Sequence, residues 1–234
     1  FDHDSTSEPM IIDEMFEGEL RKMIVQVSRN GHVYGLDRLT GEFLYAGEYT
    51  RVNWAERDES GKPVLKEAFK EPANEMVFPG LYGGKNWPPA AYSPDTHMLY
   101  IPTTEWGTRF IRREGEARAG TMDLGGMPQF DVSGTGWVVA FNMLSGEIDW
   151  QVEMPGNFAW AGTLATGGGL VFSGAPDGYL YALNDQTGEV LWKFQTGSGL
   201  YAPPTSFTID GKQYIGIASG TRNPATRAGV STGI

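Results

Sequence analysis

The sequence predicts an all-β protein of the β-propeller class, and two features of the chain lead there. The first is a strand–turn–strand unit that occurs three times, at residues 32–45, 137–150 and 179–192. In each copy an Asp or Asn and a Gly four residues later bracket the turn (Asp37 and Gly41, Asn142 and Gly146, Asn184 and Gly188), with aliphatic and aromatic residues on both sides. The acid or amide side chain can bond the turn backbone and the glycine can take φ > 0, so each copy reads as a hairpin. The second feature is spacing. Gly146 and Gly188 lie 42 residues apart, matching the roughly 40–45 residues of a four-stranded propeller blade. Composition agrees, since 32 Gly and 14 Pro in 234 residues favour many short elements over a helical bundle.

Taken in order, the first hairpin is His32 to Tyr45. Gly41 and Gly146 are 105 residues apart, about two and a half blade periods, so one further blade and inserted chain are expected between them. Met98-Leu99-Tyr100-Ile101-Pro102-Thr103 reads as a strand of that blade, with excursions from the sheet near 51–85 and 109–130. Further strands are expected at Leu170–Ser173 and Gln213–Ala218. The whole, 1–234, is expected to be a single partial propeller domain of about three to four four-stranded blades.

Composition narrows the function. With 18 Lys+Arg against 29 Asp+Glu the formal charge is −11, which argues against nucleic acid as a partner. Zero cysteines exclude a thiolate nucleophile, a thiolate metal site and any disulfide within these residues. The glycine run at 167–169 continues into a strand and is followed by no Lys-Ser/Thr, so it is not a phosphate loop. His3, His32 and His97 show no metal-ligand spacing and are given no catalytic role.

Four residue groups carry possible chemistry. Asp2 and Asp4 are two residues apart, which puts them on one side if the segment is extended. They can hold a hard cation and leave an oxygen free to accept a proton, or they are a solvated acidic terminus. Arg29 precedes Asn30-Gly31, a type I′ turn signal, so it is expected near a strand end at the rim of a sheet. There a fixed guanidinium can bond carbonyl oxygens that gain charge, or simply face solvent. Asn86, in Asn86-Trp87-Pro88-Pro89, offers donor and acceptor to a polar ring. Trp160 is either a flat wall for a flat ligand or a core aromatic.

The segment Ala182 to Lys193, with Gly197-Ser198-Gly199-Leu200-Tyr201-Ala202-Pro203-Pro204 and Asp210-Gly211-Lys212-Gln213-Tyr214-Ile215, resembles the tryptophan-docking repeat of the pyrroloquinoline-quinone (PQQ)-dependent alcohol dehydrogenases. Ser28-Arg29-Asn30-Gly31, Gly84 to Pro94 and Trp160 to Thr166 resemble the same family in the same order. The resemblance implies the C-terminal half of an eight-bladed propeller, with the N-terminal half as a missing partner. It implies a periplasmic quinoprotein dehydrogenase, an oxidoreductase acting on a primary alcohol or related hydroxyl substrate and passing electrons to a cytochrome c or quinone acceptor. PQQ and Ca²⁺ or a lanthanide ion are the implied cofactors. Asp2 corresponds to the catalytic base and a metal ligand, Asp4 to a metal ligand, and Arg29, Asn86 and Trp160 to cofactor contacts; Trp150 and Trp192, with Tyr45, correspond to docking aromatics. Because other metal ligands of the family lie outside these residues, 1–234 alone is expected to be inactive. The rival reading is a non-catalytic propeller scaffold for binding or envelope assembly, built from PQQ-like repeats.

Overall fold

The structure, a computed structural model, describes residues 3–70, 75–112, 120, 126–131 and 133–220. Its strands run in chain order as β1 (Met10–Phe16), β2 (Glu19–Val27), β3 (His32–Asp37), β4 (Phe43–Glu48), β5 (Ala55–Arg57), β6 (Pro63–Leu65), β7 (Ala91–Ser93), β8 (Met98–Thr104) and β9 (Gly107–Arg112). They continue as β10 (Gly126–Asp131), β11 (Gly136–Asn142), β12 (Glu147–Met154), β13 (Thr163–Thr166), β14 (Leu170–Gly174), β15 (Tyr179–Asn184), β16 (Val190–Gln195), β17 (Thr205–Ile209) and β18 (Lys212–Gly216). Three antiparallel four-stranded sheets form, in the orders β1-β2-β3-β4, β7-β8-β11-β12 and β13-β14-β15-β16, and β17-β18 begins a fourth. These are propeller blades. The β5-β6 hairpin lies between the first and second blades, and β9-β10 leaves the second blade between its middle strands.

The three repeats form the outer hairpins of the three blades, and the turn chemistry is the same each time. Asp37 Oδ1 accepts from the N–H groups of Leu39 and Thr40 at 2.8 and 3.0 Å. Asn142 does the same for Leu144 and Ser145, and Asn184 for Gln186 and Thr187. Gly41, Gly146 and Gly188 sit at φ +77°, +73° and +73°, where an L side chain is strained. Each hairpin carries a register shift at the same place, between Gly35 and Leu36, Ala140 and Phe141, and Ala182 and Leu183.

The blades stack through alternate side chains. In β8, Leu99 and Ile101 join a core with Val25, Val33 and Phe141, facing the first blade. Met98 and Tyr100 face the third, with Val138, Val171 and Leu183. Both faces of the second blade are thus buried, which is why β8 reads as an almost unbroken apolar run. Trp150 crosses to the next blade, its indole N–H donating to Asp185 O at 3.0 Å, and Tyr100 OH donates to the same carbonyl at 3.0 Å. Tyr45, the counterpart of Trp150, packs instead against Gly35 of its own blade and stacks on Phe16. Trp192 is half exposed and stacks on Phe194 at 9°. Between the first two blades the buried Glu14 carboxylate accepts from Tyr92 OH and from the Met15 N–H, and His97 Nδ1 lies 2.9 Å from it.

Strand direction gathers the candidate residues. In an up-and-down blade the start of the first strand, the end of the second and the start of the third lie at one end. The arm before β1, the β2-β3 turn, the chain entering β7 and the chain entering β13 therefore share one rim.

Candidate functional site

The rim is organised by the segment from Leu81 to Trp87. Arg29 lies inside the turn that links β2 to β3, where Gly31 N–H donates to Ser28 O at 3.2 Å. Gly31 is at φ +97° whereas Arg29 and Asn30 are not at positive φ, so the expected type I′ turn does not form. The loop is a type I turn closed by a left-handed glycine. Asn30 Oδ1 accepts from His32 N–H at 3.1 Å and its amide donates to Tyr34 OH at 2.8 Å, which fixes the turn. Arg29 is 8% exposed, and its Nη2 donates to Leu81 O.

Two glycines let this segment lie against the Arg29 turn. A Cβ on Gly83 would fall 2.8 Å from Arg29 Cβ, and one on Gly84 would fall 2.5 Å from Thr50 Cγ2. The backbone is held on both sides, since Gly84 N–H donates to Arg29 O at 3.0 Å and Thr104 N–H donates to Gly84 O at 2.7 Å. Asn86 follows, half buried; its amide donates to Tyr82 O at 3.0 Å and its Oδ1 accepts from Trp87 N–H at 2.9 Å. Among the described residues this leaves one amide hydrogen and one lone pair of the Asn86 side chain without a bond.

Trp160 belongs to a cluster of rings with Trp106, Phe158, Tyr82 and Tyr201. It stacks on Phe158 at 4.6 Å and 14°, and Tyr82 and Trp87 meet it edge-on, each at 6.1 Å. At 6% exposure it is a packed ring that backs the rim, while Trp87 at 45% is the exposed one. Arg29, Asn86 and Trp160 thus all contact one short stretch of chain, through Leu81, Tyr82 and Trp87.

Asp2 lies outside the described residues. Asp4 is exposed, on the arm that leads to β1. That arm is tied to the same rim, because His3 Nε2 lies 3.1 Å from Pro79 O and Ser7 Oγ donates to Val27 O at 3.1 Å. Among the described residues no three His, Asp or Glu side chains lie together as a metal site. The Tyr82–Trp106–Phe158 ring cluster was not read from the sequence, although Trp106 and Phe158 both stand just outside strands. Lys85, which is 3% exposed, was missed as well.

Comparisons with known proteins bear on the family and the fold. Residues 135–215 match the PQQ family described as "Glucose/ethanol/alcohol dehydrogenase, beta-propeller domain". The quinoprotein alcohol dehydrogenase PedH of Pseudomonas putida is 35% identical over 94% of this chain and 39% of its own length. Among solved structures, a europium-containing methanol dehydrogenase superimposes with a TM-score of 0.85 at 31% identity, covering 94% of this chain and 40% of that one. The quinohemoprotein alcohol dehydrogenase of Comamonas testosteroni gives 0.81 at 31% identity, covering 94% and 35%. The chain spans about two fifths or less of the length of the curated relatives it matches. The chain is therefore a stretch of quinoprotein propeller, homologous along nearly all of its length to the quinoprotein alcohol dehydrogenases.

Proposed function

We propose that the complete protein is a PQQ-dependent dehydrogenase of a small alcohol, with Asp2, Arg29, Asn86 and Trp160 at its cofactor site. The observation that supports this most is the meeting of Arg29, Asn86 and Trp160 along Leu81–Trp87 on one rim. These residues fit a flat ligand with polar edges, since the guanidinium and the amide both have fixed backbones and the ring cluster gives a rigid apolar backing. Asp2 and Asp4 suit a hard cation, Ca²⁺ or a lanthanide, as two of its oxygen donors; Ca²⁺ takes about six to eight, so further ligands come from elsewhere in the protein.

When bound, the ortho-quinone supplies a two-electron acceptor for the hydride of the carbinol carbon. The chain's own residues act around it. Asp2 takes the hydroxyl proton on a carboxylate oxygen, as a general base. Arg29, held against Leu81 O, presents N–H donors to oxygens that gain negative charge. Asn86 uses its remaining donor and acceptor to orient the ring. The electron acceptor would be a cytochrome c or a quinone, in keeping with the names of relatives such as the quinone-linked alcohol dehydrogenase of Acetobacter aceti. We place the protein in the periplasm, by analogy with where quinoproteins load their cofactor.

The test is Arg29→Ala in the complete protein reconstituted with PQQ and Ca²⁺ or a lanthanide, assayed by alcohol-dependent reduction of an artificial acceptor. Loss of roughly 10²-fold in turnover is expected for a charge-stabilising donor. An unchanged rate would remove Arg29 from the site. A wild-type protein with no PQQ-dependent turnover at all would favour the non-catalytic scaffold.

A further inference from the structure

Lysine is almost never fully buried without a partner, yet Lys85 is 3% exposed. Its backbone has no freedom to move outward, because Gly84 is bonded both to Arg29 O and to Thr104 N–H. The side chain enters a small recess lined by Ser7, Glu8, Met10, Val27, Pro89 and Ala90, where the arm before β1, the end of β2 and the entry to β7 meet. Among the described residues no carboxylate lies within ion-pair distance of Nζ, and its one hydrogen bond is donated to the main-chain carbonyl of Asn86 at 3.0 Å. The charged groups around it are Glu8 on the arm and Arg29 behind Gly83, while the neutral Tyr49 hydroxyl lies by the Lys85 backbone.

We infer that Lys85 is a positioning residue of the cofactor site: its buried amine grips the Asn86 carbonyl and so fixes the peptide from which the Asn86 amide and the Trp87 ring project. This rests on the reading of Asn86 and Trp160 as cofactor contacts. The link is mechanical. The peptide joining Asn86 to Trp87 carries the gripped carbonyl, the N–H that binds Asn86 Oδ1, and the ring that meets Trp160 edge-on. Freeing the carbonyl lets that peptide rotate and misplaces all three groups. A charged donor makes a bond about twice as strong as a neutral one. Burial pushes the Lys85 ammonium down to about 8, with Glu8 opposing the shift. The grip is therefore strong below pH 8 and weakens above it.

The experiment is equilibrium binding of PQQ to the complete apoprotein at fixed saturating Ca²⁺, followed by quenching of tryptophan fluorescence from pH 6.5 to 9.5, for wild type, Lys85→Arg and Lys85→Met, with a thermal melt of each. Wild-type affinity should fall several-fold, up to about tenfold, as pH rises through 8. Lys85→Arg keeps a permanent charge, so its affinity should show no inflection there; Lys85→Met should bind about tenfold more weakly and also show none. A Lys85→Met protein that binds as tightly as wild type and keeps the inflection overturns the role. If Lys85→Met does not fold, the Lys85→Arg profile alone decides, and an inflection retained there overturns it equally. A wild type that takes up no PQQ refutes the functional reading, and this inference falls with it.

Discussion

Gly146 and Gly188 are equivalent positions in two copies of one hairpin, both at φ +73°, and they differ in what lies over them. A Cβ added to Gly146 meets nothing within 4 Å, whereas one added to Gly188 would fall 2.7 Å from both Trp150 Cε3 and Val152 Cγ2 of the preceding blade. Alanine at either site bears the strain of a left-handed conformation, about 1 kcal/mol. At Gly188 it must also displace the docked indole, and overpacking of a filled interface costs a further ~1–3 kcal/mol. Gly188→Ala should therefore destabilise by about 3 kcal/mol and Gly146→Ala by about 1. The Trp150 bond to Asp185 O should be disturbed only in the former. The assay is denaturant unfolding of the complete protein, wild type against each variant, with tryptophan fluorescence as the probe. Equal destabilisation by the two substitutions would refute the docking of blade two onto the turn of blade three.

Two further predictions concern buried titratable groups. Burial raises the Glu14 pKa, but bonds from Tyr92, His97 and the Met15 N–H outweigh it and hold the carboxyl below its ordinary value. Its contribution to stability is then present above the unfolded-state pKa and lost as pH falls through the folded one. Glu14→Gln should lower stability by about 2 kcal/mol at pH 7 and flatten the acid limb of a stability–pH curve; an unchanged acid limb would contradict the clasp. His32 is fully buried, and desolvation, helped by Arg57, lowers its pKa to about 4. The folded protein thus refuses a proton that the unfolded chain accepts below about pH 6.5, so this residue makes stability decline from there towards pH 4. An imidazole NMR titration with a midpoint near 6.5 would show that His32 is not buried as described.

What the sequence made legible follows from how local each signal is. The outer hairpins were readable because one Asp or Asn and one Gly at fixed spacing do the same bonding in every copy. The Asn30-Gly31 turn was misassigned because the same dipeptide also serves a loop in which glycine alone is left-handed, and only the backbone distinguishes the two. Arg29 and Asn86 were singled out by residue type and position, and the family resemblance gave them a role. Their meeting was not readable, because Leu81 and Tyr82, whose carbonyls join them, lie in a long connection without a repeat. Lys85 and Glu14 were missed for a shared reason. A charged residue reads as solvated until the distant chain that buries it is known, and for Glu14 that chain is the second blade, through Tyr92 and His97.

Whether Arg29, Asn86 and Trp160 form part of one cofactor face is decided by a crystal structure of the complete protein with PQQ and a bound cation. The quinone should lie at this rim, with an Arg29 N–H and the Asn86 amide each about 3 Å from polar atoms of the ring, Trp160 in van der Waals contact, and Lys85 Nζ still on the Asn86 carbonyl. Quinone density elsewhere on the propeller, with the Leu81–Trp87 segment untouched, would contradict it.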